Sequence, residues 1–220
     1  MVRPDVIIRS RRKTLSISID SFGRLIVRAP YDCSEERIFA FLNEKERWIL
    51  QKQFEKAGAG MRLPPEDLDG YEFMLLGKNC RITLVKKRKI SFDSEDRRVY
   101  LPIKNSRERL VAWLKANAKR IFTAVTEQKA QEMGVTFKSV TITSAKTRWG
   151  SCAYDNAIRY SFRLLYAPKD VIEYIVVHEL AHTLHKDHSP AFWAEVEKYL
   201  PDYKAKRKWL EVHGILMEIF

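Results

Sequence analysis

The sequence predicts an α+β fold: a small β-rich region with one helix over residues 1–103, then a domain of helices with a short mixed sheet over residues 104–220. Three observations predict it. Apolar and polar residues alternate with period two at several places in the first hundred residues. A helical stripe opens at Ser106 and runs to about Met133. Two further strand signals then precede a second apolar helix that starts at Pro168.

In chain order, Val6-Ile7-Ile8 reads as a strand, and Leu15, Ile17 and Ile19 alternate with Ser16 and Ser18 as a second. Ser21-Phe22-Gly23 reads as a hairpin turn into Leu25-Ile26-Val27, which Pro30 ends. A helix follows from Ser34 as N-cap, with Glu35 and Glu36 in the first turn, where carboxylates oppose the helix dipole. Ile38, Phe41, Leu42, Trp48 and Ile49 form its apolar face, and Gly58 and Gly60 close it. The loop-like stretch from Met61 to Asp69 leads to strand signals at Tyr71–Leu76, Arg81–Val85, Ile90–Phe92 and Val99–Leu101. Leu110, Val111, Leu114, Ile121, Phe122 and Val125 give the long helix its core stripe, and Gly134 suits the left-handed residue that ends a helix. Strands at Val140–Thr147 and Ala157–Leu165 are joined through Arg148-Trp149-Gly150-Ser151-Cys152, and Pro168 opens the helix bearing Ile172, Ile175 and Val176.

Composition narrows the functional classes. Of 220 residues, 45% are hydrophobic and 31% charged, so the chain buries a core and stays soluble. Its start has no apolar signal segment and no later run nears the ~20 residues that cross a bilayer, so a cytoplasmic location without a membrane partner is expected. Cys33, Cys80 and Cys152 are odd in number and widely spaced, which implies neither a disulfide framework nor a cysteine metal site. Cys152 reads better as a small buried thiol than as a nucleophile. The net charge of +12 is spread evenly along the chain, so the protein attracts anions in general and has no dedicated nucleic-acid arm. The densest basic run, Lys86-Lys87-Arg88-Lys89, reads as a solvated hairpin end.

The chemistry is concentrated in His178-Glu179-Leu180-Ala181-His182. On a helix, residues i and i+4 project from one face about 6 Å apart along the axis. Two imidazoles so placed bind one zinc ion, and the glutamate beside the first reaches a water on that ion. A catalytic zinc takes a third protein ligand and keeps one position open. His185 lies at i+7, about 10.5 Å along the axis from His178 if the helix continues, too far for easy convergence. His188 precedes Ser189-Pro190, an N-cap and first-turn proline, so the chain turns there and can fold His188 back over the metal. Glu195 and Glu197 on the next helix are the third option, a glutamate ligand. The His-x3-His-x5-His spacing is also that of the metzincin signature, which carries glycine where this chain has His185.

Taken in order, these segments resemble the YgjP-like, SprT-related zinc metallopeptidase family. The resemblance rests on Lys146–Cys152 (KTRWGSC), Tyr174–His182 (YIVVHELAH), His188–Trp193 (HSPAFW) and Pro201-Asp202-Tyr203, and spans about Ser144 to Leu210. More weakly, the N-terminal sheet and the Trp48-containing helix look like the family's leading region. The resemblance implies a zincin-like domain over 104–220, a Zn2+ cofactor, ligands His178, His182 and His188, and Glu179 as catalytic base. Ser161 departs from the asparagine the family usually shows there.

The expected activity is therefore zinc-dependent hydrolysis of peptide bonds, with a peptide or protein as partner. Two rival readings share the same site: a nucleotide phosphohydrolase, and a protease acting on nucleic-acid-associated proteins. The positive charge admits a nucleotide or nucleic acid, but the chain has no Gly-rich phosphate loop, no carboxylate cluster for magnesium and no nucleic-acid recognition motif. Tyr203 and His185 are candidate donors to the oxyanion, and Arg148-Trp149-Gly150 a candidate strand edge for an extended substrate.

Overall fold

Alternation dictates the first sheet. In β3 (Leu25–Pro30), Leu25, Val27 and Ala29 point inward and are fully buried, while Ile26 and Arg28 face outward. β3 is the central strand, parallel to β1 (Val6–Ser10) and antiparallel to β2 (Ser16–Ile19). In α1 (Glu35–Glu44), the Ser34 hydroxyl accepts a hydrogen bond from the Arg37 amide, and Glu35 and Glu36 occupy the first turn. Ile38, Leu42 and Ile49 complete this core with Cys33. Trp48 is not part of it: it sits 100° round from Ile49 and is exposed.

The computed structural model describes residues 2–19, 25–49, 52 and 64–220. The expected turn at Ser21-Phe22-Gly23, the helix-closing Gly58 and Gly60, and the start of the Met61–Asp69 loop lie outside them. Cα packing divides the chain into Met1–Arg62 with Val212–Ile215, and Leu63–Glu211 with Leu216–Phe220. In this division the strands between 72 and 102 group with the residues that follow them. The reason is local: they pack on those later elements. Phe73 meets Tyr166 edge-on, and the Leu76 amide donates to the Leu165 carbonyl at 2.7 Å.

Those strands are β4 (Glu72–Leu75), β5 (Lys78–Val85), β6 (Ser91–Asp93) and β7 (Arg98–Pro102), ordered β4-β5-β7-β6 with β5 and β7 parallel. Lys86–Lys89 are exposed as expected but end no hairpin, because β5 and β6 each pair with β7 and not with one another. Gly77, at φ +74°, ends the β4 turn so close to Pro168 that a Cβ would lie 2.8 Å from the proline Cα. This approach fixes the start of the helix that carries the motif.

α2 (Ser106–Met133) ends as its sequence dictates, with Gly134 left-handed and its amide donating back to the last turn. Its buried stripe is Leu110, Leu114, Ala118, Phe122, Thr126, Ala130 and Met133; Val111, Ile121 and Val125 are half-buried flanks. The small residues let a sheet approach closely. That sheet, ordered β8-β10-β9, comprises β8 (Ser139–Thr143), β9 (Gly150–Cys152) and β10 (Ala157–Ser161). Tyr160 of β10 meets Phe122 edge-on, and its hydroxyl lies 3.2 Å from that of Thr126.

Two expectations need correction here. The segment 150–152, read as part of a connection, is a strand. The second strand ends at Ser161, because Phe162–Tyr166 forms a 3-10 turn. Within that turn Arg163 is 2% exposed, and its guanidinium donates to the carbonyls of Ser144, Ile219 and Phe220, which satisfy the buried charge. α3 (Lys169–Ala181), α4 (Pro190–Tyr199) and α5 (Tyr203–Val212) complete the unit. The fold is α+β, and no helix among the described residues is long and apolar enough to cross a membrane.

Candidate metal centre

α3 is apolar almost all round, with Val171, Ile172, Tyr174, Ile175, Val176, Val177 and Leu180 buried, so it runs through the core and delivers its last turn to the surface. His178 and His182 sit on that turn, their ring centroids 5.0 Å apart. The helix ends at Ala181. The amides of Leu184 and His185 donate to the Ala181 carbonyl, and the Asp187 carboxylate accepts from the Ser189 amide. This turn reverses the chain into α4, with Pro190 in the first helical turn. His188 is thereby carried back to within 5.1 Å of His178 and 4.7 Å of His182, centroid to centroid. One ligand atom from each of the three histidines falls within 4.8 Å of the others.

The donor set suits a divalent metal ion. Burial, reinforced by the neighbouring His182 and His188, pushes His178 down to about pKa 3, and burial also lowers His182. Both imidazoles are therefore neutral near pH 7 and keep a lone pair to donate. His182 Nδ1 lies 2.9 Å from the His185 carbonyl, which can only accept, so the proton sits on Nδ1 and Nε2 is free. The Nε2 atoms of His178 and His188 face each other at 3.2 Å, close enough to share a proton or a cation between them. His185 thus contributes its backbone rather than its ring. Glu195 and Glu197 pair instead with Lys198 and Lys204.

An aromatic wall, unrecognised as such in the sequence, holds the rings. Phe192, fully buried on α4, stacks on His182 at 4.4 Å and meets His178 and His188 edge-on. Trp193 stacks on His188, and Tyr203 on Trp193. The signal was the Phe192-Trp193 pair on the first turn of α4, directly after the reversal.

Glu179, between the two helix histidines in sequence, packs against β9. It is 4% exposed, and burial raises its carboxyl to about pKa 8. Its Oε2 is buried without a hydrogen-bond partner among the described residues. Gly150 lies directly against it: a Cβ there would stand 2.5 Å from Oε1 and 2.9 Å from Cγ and Cδ. A recess of about 290 Å³ over this contact is lined by the three histidines, Glu179, Arg148 and Lys186 along with β9. Tyr203 and His185 are not among the residues that line it. Cys152 does, but burial raises its thiol, which stays protonated near neutral pH. Ser161, at the family's asparagine position, donates to the Ala145 carbonyl at 2.8 Å and leaves the histidines untouched.

β9 is an edge strand. Ser151 pairs with Arg159, the Trp149 carbonyl accepts from Ser161, and the Ala153 amide donates to Ala157. By antiparallel alternation, Gly150 and Cys152 turn their backbone N–H and C=O groups outward.

No match was found among curated protein sequences. Two solved structures resemble part of the chain. The metallopeptidase zymogen abylysin of Pyrococcus abyssi is 24% identical, with 42% of this chain and 93% of that one aligned at a TM-score of 0.39. The metallopeptidase zymogen jannalysin of Methanocaldococcus jannaschii is 16% identical, with 43% and 96% aligned at 0.37. At that level these likenesses carry no argument. The family profile described as "YgjP-like, metallopeptidase domain" matches residues 13–213, and by that match the chain belongs to the YgjP-like metallopeptidase family.

Proposed function

We propose that this metallopeptidase uses zinc, held by His178, His182 and His188, and that Glu179 is its catalytic base. The observation that carries the reading is the convergence of three imidazoles, two of them neutral through burial, beside a buried carboxylate with no other partner. Three nitrogen ligands with one position open suit catalytic zinc. When bound, the ion supplies Lewis acidity toward water and the scissile carbonyl.

The chain's own residues do the rest. Glu179 takes a proton at Oε2 as the water oxygen bonds to the carbonyl carbon, and returns it to the amide nitrogen as the C–N bond breaks. Gly150 leaves room for the carboxylate and, with Cys152, offers outward backbone groups to an extended peptide. A cytoplasmic setting agrees with the free thiols of Cys33, Cys80 and Cys152. Elemental analysis should find about one zinc per chain, lost in the His178→Ala/His182→Ala double variant; full zinc in that variant would remove the ligand assignment.

A further inference from the structure

On the other face of β9 lies a second recess, of about 310 Å³, that shares Arg148, Gly150 and Ser151 with the one over Glu179. Its lining includes two guanidinium groups, Arg148 and Arg159, the hydroxyls of Thr143, Ser151 and Ser161, and no carboxylate. Neither arginine has a hydrogen bond or ion pair among the described residues. By contrast, the guanidinium groups of Arg9, Arg97, Arg107, Arg109 and Arg163 are taken up by backbone carbonyls. The register explains the placement. Arg159 is paired with Ser151, and Gly150 with Tyr160, so the side chains of Ser151 and Arg159 leave the sheet on the face opposite Glu179.

We propose that this recess is a specificity site for a carboxylate on the peptide substrate, with Arg148 and Arg159 as its cations. The inference deepens the peptidase reading and rests on it. A peptide added along the free edge of β9 alternates its side chains between the two faces of the sheet. The substrate residue opposite Gly150 faces Glu179 and the histidines. The residue opposite Ser151, one step along, turns its side chain to the Arg148–Arg159 face. An acidic residue at that step, within one or two positions of the scissile bond, brings its carboxylate to two planar forks that bind carboxylates bidentately. The same carboxylate could be the substrate's own C-terminus, ending at that step. Ser151, whose hydroxyl has no partner among the described residues, adds a donor beside Arg159. Both arginines are exposed, so the expected selectivity is modest and salt-sensitive, about 5–20-fold at low ionic strength.

The test measures binding and turnover separately. Binding is read by fluorescence anisotropy on the full-length, zinc-loaded Glu179→Gln chain, and turnover on the wild type. The probes are labelled peptides of one sequence in three forms: end-blocked with Glu at one position near the cleavage point, end-blocked with Gln there, and Gln-containing but ending there with a free carboxylate. The position is scanned over the residues flanking the bond. We expect the Glu peptide or the free-carboxylate peptide to bind about 5–20-fold more tightly than the blocked Gln peptide at one position. Which of the two wins identifies the source of the carboxylate. The ratio should fall to about 1 in Arg148→Gln/Arg159→Gln and shift toward a Lys-containing peptide in Arg159→Glu. Equal binding of all three peptides at every position overturns the proposal, as does a Glu preference that survives the double substitution. If the three forms are cleaved at equal rates, the peptidase reading stands and the specificity site falls. If the arginine-dependent preference is found but no peptide is cleaved, the site stands and the peptidase reading falls.

Discussion

Replacing Gly150 with alanine adds one methyl group at the closest approach between β9 and the carboxylate of Glu179. That methyl carbon would sit 2.5 Å from Oε1 and 2.9 Å from Cδ, well inside van der Waals contact, so the carboxylate must move by roughly 1 Å. Glu179 is 4% exposed and has little room to yield. Overpacking of this kind costs about 1–3 kcal/mol. The backbone of Gly150 lies outside the left-handed region, so alanine also recovers about 0.4–1 kcal/mol from the unfolded chain. The net loss of stability is therefore small, about 0–2.5 kcal/mol. Activity should suffer far more, because a misplacement of about 1 Å at a reacting group costs on the order of 100-fold. The atoms nearest that methyl all belong to Glu179 and none to a histidine, so zinc content should hold. The assay is kcat/KM on a peptide substrate beside a urea unfolding curve and zinc analysis on the same preparation. Turnover within about threefold of wild type would refute the claim that Gly150 makes room for the base.

Three further outcomes follow from the site. His188→Ala should weaken zinc binding by several kcal/mol in chelator competition, whereas His185→Ala should change it little, because only the His185 backbone touches His182; a large loss in His185→Ala would give its ring a role. Phe192→Ala should cost about 3–5 kcal/mol of stability by calorimetry, since a fully buried ring is removed, and should also weaken zinc binding because that ring braces all three imidazoles. The third concerns the metal-free chain, in which folding raises Glu179 from 4.5 to about 8. The folded state then holds a proton that the unfolded state releases, so wild-type stability falls as pH rises from about 4.5 to 8. Metal-free Glu179→Gln escapes that loss and should become the more stable of the two by about 4 kcal/mol at pH 8 but not at pH 4.5; a gap that does not change with pH would contradict the buried carboxyl.

How much of this was legible in the sequence depends on the kind of signal. The long helix and its glycine stop could be read because both are local: periodicity sets the one and a left-handed φ the other. The histidine pair could be read because helical spacing alone puts i and i+4 together, and Ser189-Pro190 announced the turn that returns His188. β9 was missed because Gly-Ser-Cys has neither alternation nor β-branched residues; its register with β10 makes it a strand. Phe162–Leu165 reads as strand because a short, mostly apolar run has no period of its own, and only its packing selects the 3-10 turn Phe162–Tyr166. Ala118, Thr126 and Ala130 escaped the core stripe because small residues carry little hydrophobic signal, although their size is what admits the sheet. The His185 carbonyl could not be foreseen, since any residue supplies one.

The most direct test of the central claim is peptide turnover by zinc-loaded wild type and Glu179→Gln chains, with zinc content and folding measured on the same samples. The account predicts about one zinc per chain in both, unchanged folding, and a rate lower by about 10²–10⁴ in the variant. A Glu179→Gln chain that keeps its zinc and cleaves peptides at the wild-type rate would contradict it.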